Sequence, residues 1–323
     1  MGLQFKMWLL VVAMFGILYG VITGIGSYMG VGSATSYIIL AVLFMGFQYL
    51  IGPSLVSMMM RVKYVSEKEE PELHHQVAEL AQKAGIPKPK VGVSQLSIPN
   101  AFAFGRSLGD GRVCVTRGIQ KLLTKEELKA VLGHEISHLK HRDMMIMTLL
   151  SVIPLILYWI AWSFMWGGMG NRRQGGGYAA LIGFGAMLLY FLTNLLVLYG
   201  SRIREYYADE RSVRLGNPPQ YLASALYKLV YSSARVKRDP QAKTELKRIE
   251  GVKAFFLNDI SRAENEIREL KVIDKDLSGT IDEIELLSLR SQKVQPSTAE
   301  KLLEIFTTHP NMLKRIKRLA TLV

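Results

Sequence analysis

Four stretches, Met7 to Tyr28, Tyr37 to Met60, Met144 to Trp166 and Tyr178 to Tyr199, run almost without charge. Each is about twenty residues long, the length a helix needs to cross the hydrocarbon core of a bilayer. Backbone amides find no water there, so such segments are helices bonded within themselves. They predict a mainly α, multi-pass membrane protein, with polar sequence left over for one soluble domain. Lys6 precedes the first stretch as it would in a signal peptide. That stretch is longer than an h-region, lacks an A-x-A-like exit and is soon followed by a second apolar span, so it reads as half of a retained hairpin.

The formal net charge is +13, which raises nucleic acid as a partner, but the basic residues stand elsewhere. Arg61, Lys63 and Lys68 follow the second stretch, Lys140 and Arg142 precede the third, and Arg202, Arg204, Arg211 and Arg214 follow the fourth. Arg172 and Arg173 stand alone in the opposite loops. By the positive-inside rule both termini and both large polar segments are cytoplasmic. The partner this implies is the lipid bilayer with its anionic headgroups, not nucleic acid. Cys114 is the one cysteine, so there is no internal disulfide framework and no Cys-ligated metal; it reads as a small hydrophobe in a strand.

The polar segments predict a helix over Glu72 to Ala84, stopped by Gly85 and Pro87. Short strands follow at Val91 to Gln95, Ala101 to Arg106 and Arg112 to Thr116, the last two joined by Gly109-Asp110-Gly111. These make a small antiparallel sheet. Thr124 and Glu127 form a capping box, so helix starts at Lys125 and carries His134-Glu135-Ile136-Ser137-His138. Residues four apart share a helix face: His134 and His138 can direct imidazoles at one zinc ion while Glu135 acts as base toward a water. His141 lies a further turn along and does not converge with them. His74 and His75 sit on a polar helix and read as solvated.

The third ligand must come from elsewhere. Glu205 and Asp209 are four apart on the helix that continues the fourth span. Glu205 would bind the ion while Asp209 accepts a hydrogen bond from a ligand histidine's outer nitrogen. Two crossings separate His138 from Glu205, so the chain returns to the leaflet it left. The plainer alternative for both carboxylates is surface pairing with nearby arginines. Alternation in Asn100, Ala101, Phe102 and Ala103 suggests an edge strand whose backbone holds substrate as an added strand; a plain core strand is the alternative.

HEISH after a short β region, SRIREYYAD after a membrane hairpin, PNAFAFGR and a late THP together resemble the HtpX-type membrane zinc metallopeptidases, relatives of the CAAX prenyl-protein endopeptidases. The resemblance covers essentially the whole chain. It implies a zincin-like α+β peptidase domain on the cytoplasmic side of a prokaryotic cell membrane, with one zinc per chain and polypeptide substrates, namely damaged or misfolded membrane proteins. His309 matches the family's C-terminal His-Pro and would approach the oxyanion, unless it only caps or supports the fold. The expected organisation is a membrane hairpin at 1–60, a first peptidase segment at 61–143, a second hairpin at 144–200 and a second peptidase segment at 201–323. A non-cleaving scaffold is the competing class, disfavoured because a scaffold need not keep Glu135. Prenyl-motif cleavage is the competing substrate, disfavoured because an enclosed membrane chamber would need more spans.

Asp274, Asp276, Ser278, Thr280 (through its carbonyl), Asp282 and Glu285 place oxygens as an EF-hand calcium loop does, with Gly279 at its sixth position. EF-hands pair and no second loop is present, so a helix-turn-helix holding no ion is the alternative.

Overall fold

The computed structural model describes residues 34–166, 176–236, 262–271, 273–292 and 298–323, with isolated positions among 9–21 and 240–257. Most of the first predicted span, and Arg172 and Arg173 in the NRRQGGG loop, lie outside the described residues. In chain order the elements are α1 (Ala34–Met59), β1 (Val62–Tyr64), α2 (Pro71–Ala84), β2 (Lys90–Ser94), β3 (Ala101–Phe104), β4 (Arg112–Thr116), α3 (Arg117–Leu122) and α4 (Lys125–Lys140). Then come α5 (Asp143–Trp166), α6 (Gly176–Arg214), α7 (Pro219–Val236), α8 (Ala263–Leu270), α9 (Glu283–Ser291), α10 (Thr298–Glu304) and α11 (Met312–Leu319).

The chain divides into two compact units, Met1–Ile51 with Met145–Gly200, and Gly52–Met144 with Ser201–Val323. Among the described residues of the expected crossings, one helix, Tyr178–Arg214, is long and apolar enough to span a membrane. Shorter apolar helical stretches occupy Tyr49–Met59 and Ile153–Met165. In the first unit Trp159, Trp162, Leu181, Phe184 and Leu188 are exposed, the reverse of a water-soluble helix pair.

The second unit holds a sheet in the order β1-β2-β4-β3. It is mixed, which corrects the antiparallel sheet expected from the sequence. β1 and β3 run antiparallel to their neighbours, but β2 and β4 are parallel, with Val91 opposite Val113 and Val93 opposite Val115. The expected Ala101–Thr116 hairpin forms, and β4 rather than β3 takes the open edge of β2. The stretch from Gln95 through β3 to Gly111 acts as the long crossover a parallel pair requires. β3 is therefore the terminal strand. Its four side chains are all buried, so the alternating exposure expected of a half-solvated edge is absent.

Around the sheet α2, α4 and α7 bury Leu80, Val131, Leu132, Ile136, Leu226 and Val230, each worth about 1.5–3 kcal/mol when removed from water. α2 ends as expected, with Gly85 in the left-handed region at φ 67°. Its His74 is not merely solvated: Nε2 lies 2.9 Å from the Val65 carbonyl oxygen. Cys114 is buried in β4.

Candidate metal centre

The site helix begins where its capping box puts it. Thr124 Oγ1 accepts from the Glu127 amide at 3.3 Å, and Glu127 Oε2 accepts from the Thr124 amide at 2.8 Å. Glu127 is also buried against Ser224 and Lys228 of α7, so the cap docks the helix as well as starting it. Gly133, just before the motif, allows close approach. A Cβ there would stand 2.7 Å from Ser212 Oγ and 2.4 Å from Asn217 Nδ2. Ser212 Oγ donates to the Ala130 carbonyl at 2.6 Å, fastening the last turns of α6 to α4. Asp209 and Glu205, one and two turns earlier on α6, thereby meet the histidine face of α4.

His134, His138 and Glu205 each offer a ligand atom, all within 4.8 Å of one another. The two Nε2 atoms are 3.0 Å apart. Glu205 Oε2 is 3.6 Å from His134 Nε2, and Oε1 is 3.5 Å from His138 Nε2. A tetrahedral zinc with bonds near 2.1 Å separates its ligand atoms by about 3.4 Å, so the triangle has the right size. Its chemistry fits too. His134 Nδ1 lies 2.9 Å from Asp209 Oδ1 and His138 Nδ1 lies 2.7 Å from Asp143 Oδ2. With the ring protons on Nδ1, facing those carboxylates, both Nε2 atoms would present lone pairs to an ion. Two imidazole nitrogens and a carboxylate converging in a buried site are a donor set that suits a divalent cation.

Asp209 stands beside His134 Nδ1. Sequence reasoning missed what holds it. Arg315, fully buried on α11, donates from Nε and Nη2 to the two Asp209 oxygens at 2.8 and 2.7 Å, while Nη1 lies 3.2 Å from Glu205 Oε2. Burial opposes the charge on Asp209, yet Arg315 and His134 hold its carboxyl below the usual range. Glu205 likewise stays well below its usual range despite burial, because His309, His134 and Arg315 surround it. A signal for Arg315 existed in the sequence: it falls on the apolar stripe of α11 between Met312 and Leu319, both buried.

Asp143 was missed as well. It opens α5 directly after Arg142, whose φ of 56° turns the chain sharply at the end of α4. Arg204 Nη1 sits 3.6 Å from Asp143 Oδ2. Each of the two histidines thus leans on a carboxylate that an arginine faces, and metal-binding imidazoles commonly lean on a carboxylate in the same way.

Glu135 is buried, and burial pushes its carboxyl above the usual range; the Ala103 amide is directed at it. The Thr116 amide donates to the Asn100 carbonyl at 2.9 Å, which sets the alternation of β3: Asn100, Phe102 and Phe104 bond toward β4, while Ala101 and Ala103 turn their amides outward. Asn100 uses its Oδ1 to accept from the Leu257 amide at 3.1 Å. His309 is buried with Nδ1 3.3 Å from Glu205 Oε2. Neither of its ring nitrogens has a hydrogen bond among the described residues.

In the second acidic group, Asp274, Asp276 and Glu285 also bring carboxylate oxygens within 4.8 Å. Those oxygens are already engaged: Asp274 accepts from the Ser278 and Gly279 amides and, at 2.7 Å, from the Tyr227 hydroxyl of α7, Asp276 from the Ser278 amide, and Glu285 from the Lys275 amide. Asp282 caps α9 by accepting from the Glu285 amide, and the Ser278 hydroxyl faces that of Thr280.

Comparison with known proteins agrees with the resemblance read from the motifs. Peptidase family M48 matches residues 67–323. The chain is 51% identical over 236 residues to the protease HtpX homolog of Methanothermobacter thermautotrophicus, covering 73% of this chain and 89% of that one. It is 35% identical over 278 residues to protease HtpX homolog 2 of Methanosarcina acetivorans, covering 85% and 81%. The crystal structure of S. mikatae Ste24p overlays with a TM-score of 0.49 at 18% identity, over 97% of this chain and 66% of that one. A match over residues 67–323 takes in HEISH, Glu205, Asp209, His309 and Arg315 together, and this chain belongs to peptidase family M48.

Proposed function

We propose that the protein is a membrane-anchored zinc endopeptidase that cleaves damaged or misfolded membrane proteins on the cytoplasmic side of a prokaryotic cell membrane. The observation that carries the reading is the convergence of two imidazole Nε2 atoms, 3.0 Å apart on the helix that also carries Glu135, with the Glu205 carboxylate. His134, His138 and Glu205 would hold one zinc, which when bound supplies Lewis-acid polarisation of the scissile carbonyl and of water.

The chain's own residues divide the remaining work. Glu135 takes a proton from the attacking water and returns it to the leaving amine. His309, beside Glu205 in the same buried site, faces the developing oxyanion. Asp143 and Asp209 keep the two imidazoles in the tautomer that directs Nε2 inward. Along the outer edge of β3 an extended substrate adds as a strand, bonding the outward backbone groups of Ala101 and the Ala103 carbonyl, while the Phe102 side chain and Asn100 support the strand from within.

The proposed architecture is four transmembrane helices in two hairpins, 1–60 and 144–200, with the peptidase domain assembled from 61–143 and 201–323. The test is cleavage of a misfolded membrane substrate by the purified full chain. Activity is expected to disappear with a chelator and return with zinc; activity that survives full removal of metal overturns the reading.

Asp274 to Glu285 is proposed, separately, as a calcium loop that orders the C-terminal part of the domain. Its support is the donor order, the left-handed Gly279 at φ 78° and the clustering of Asp274, Asp276 and Glu285. Calorimetric titration should give heat at millimolar calcium that an Asp274→Ala, Glu285→Ala double variant lacks. No heat in the parent leaves a helix-turn-helix only.

A further inference from the structure

Around α10 the usual distribution of polar and apolar side chains is inverted. Leu302, Leu303, Ile305 and Phe306 are 60%, 50%, 40% and 58% exposed, whereas the carboxylates between and before them, Glu304 and Glu300, are buried. The inward acids are paired: Glu304 with Lys314 and the Asn311 amide, Glu300 with Arg262 and Asn265. A segment facing water would put its acids out and its leucines in. A contiguous apolar patch of this kind marks a surface that meets something other than water.

The segment's attachment says what that is. Arg202 Nη1 donates to the carbonyls of Ile305 and Thr307 at 2.9 and 2.8 Å. Arg202 lies one turn beyond Tyr199 on α6, the same continuous helix whose apolar part starts at Tyr178. Exposed tyrosines at both ends of that part suit the two membrane–water interfaces. Arg202 itself, like the exposed Lys301 beside the patch, suits the headgroup layer. We infer that Leu302, Leu303, Ile305 and Phe306 dip into the interfacial layer of the cytoplasmic leaflet, as a second point of membrane attachment belonging to the peptidase unit itself. The inference rests on the reading of Tyr178 to Tyr199 as a membrane span. Its consequence for the site is direct: the anchored segment runs through Thr307 to His309, so one end of the catalytic pocket is tied to the lipid surface from which a membrane substrate emerges.

The test uses the full chain in nanodiscs of phosphatidylcholine and phosphatidylglycerol, with an environment-sensitive NBD label on single cysteines. Buried Cys114 leaves little background. Labels at Leu302→Cys and Phe306→Cys are compared with Phe184→Cys in the span and Lys125→Cys at an exposed turn of α4; all four positions are exposed, so the core is untouched. Expected at 302 and 306 are blue-shifted emission, quenching by lipid carrying a doxyl group high on the acyl chain, and protection from aqueous iodide, while Lys125→Cys shows none of these. If 302 and 306 behave like 125 while 184 reports lipid, the inference is wrong and the span stands. Protection from iodide without doxyl quenching means that protein covers the patch, which also overturns it. A water-exposed label at 184 removes the span and the inference together.

Discussion

Asp143 Oδ2 lies 2.7 Å from Nδ1 of His138, and Arg204 of α6 faces the same carboxylate oxygen at 3.6 Å. The orientation of a proposed zinc ligand is therefore set by two residues at the point where the chain leaves the peptidase unit and the point where it comes back, since the unit boundaries fall after Met144 and before Ser201. Asp143→Asn should lower zinc affinity about 10- to 100-fold, measured by competition with a chelator. The thermal midpoint of the metal-free protein should stay near the parent value. An unchanged affinity would reduce Asp143 to a helix-start residue.

Arg315 is the counter-charge for Asp209 and is fully buried. Arg315→Met leaves a buried carboxylate without its partner and should cost about 3–5 kcal/mol in chemical denaturation. Adding Asp209→Asn should recover part of that loss, because the uncompensated charge goes with it. Equal destabilisation in the double variant would show that packing of the arginine, and not its charge, is what the fold needs.

Gly133 sets the approach of α4 to the last turns of α6. Gly133→Val forces a side chain into Ser212 and Asn217 and should destabilise by about 1–3 kcal/mol through overpacking. By moving Glu205 away from the histidines it should also lower zinc content. A stable variant with full zinc would mean that the helices have room that the contact distances deny.

The four-span arrangement predicts that cysteine labels at Ser66 and Gly168 react from opposite sides of the membrane, Ser66 from the cytoplasm. Gly168 lies outside the described residues, so the labelling is the direct observation of that loop. Reaction from one side would remove the second hairpin and with it the parity argument that brings Glu205 to His138.

Much of this site was legible because helical spacing is a local rule. His134 and His138, four apart, and Glu205 and Asp209, four apart, each needed only one helix for the shared face to be read. The capping box at Thr124 and the stop at Gly85 were local in the same sense. What could not be read was tertiary. Asp143 reaches His138 because Arg142 adopts a left-handed turn, and nothing in an arginine announces that. Arg315 meets Asp209 across a long stretch of sequence; its one trace was a charge on an apolar helix face. The sheet was misread for a related reason. A short strand's residues do not say which neighbour it will take, and β4 paired with β2 on the side opposite its hairpin partner.

The central claim is that Glu135 moves protons while His134, His138 and Glu205 hold the metal. Its most direct test is zinc content and proteolysis measured together on Glu135→Gln. The account predicts one zinc per chain, as in the parent, with cleavage of a misfolded membrane substrate abolished, while Glu205→Ala loses both metal and activity. Parent-level cleavage by Glu135→Gln, or full zinc in Glu205→Ala, would contradict it.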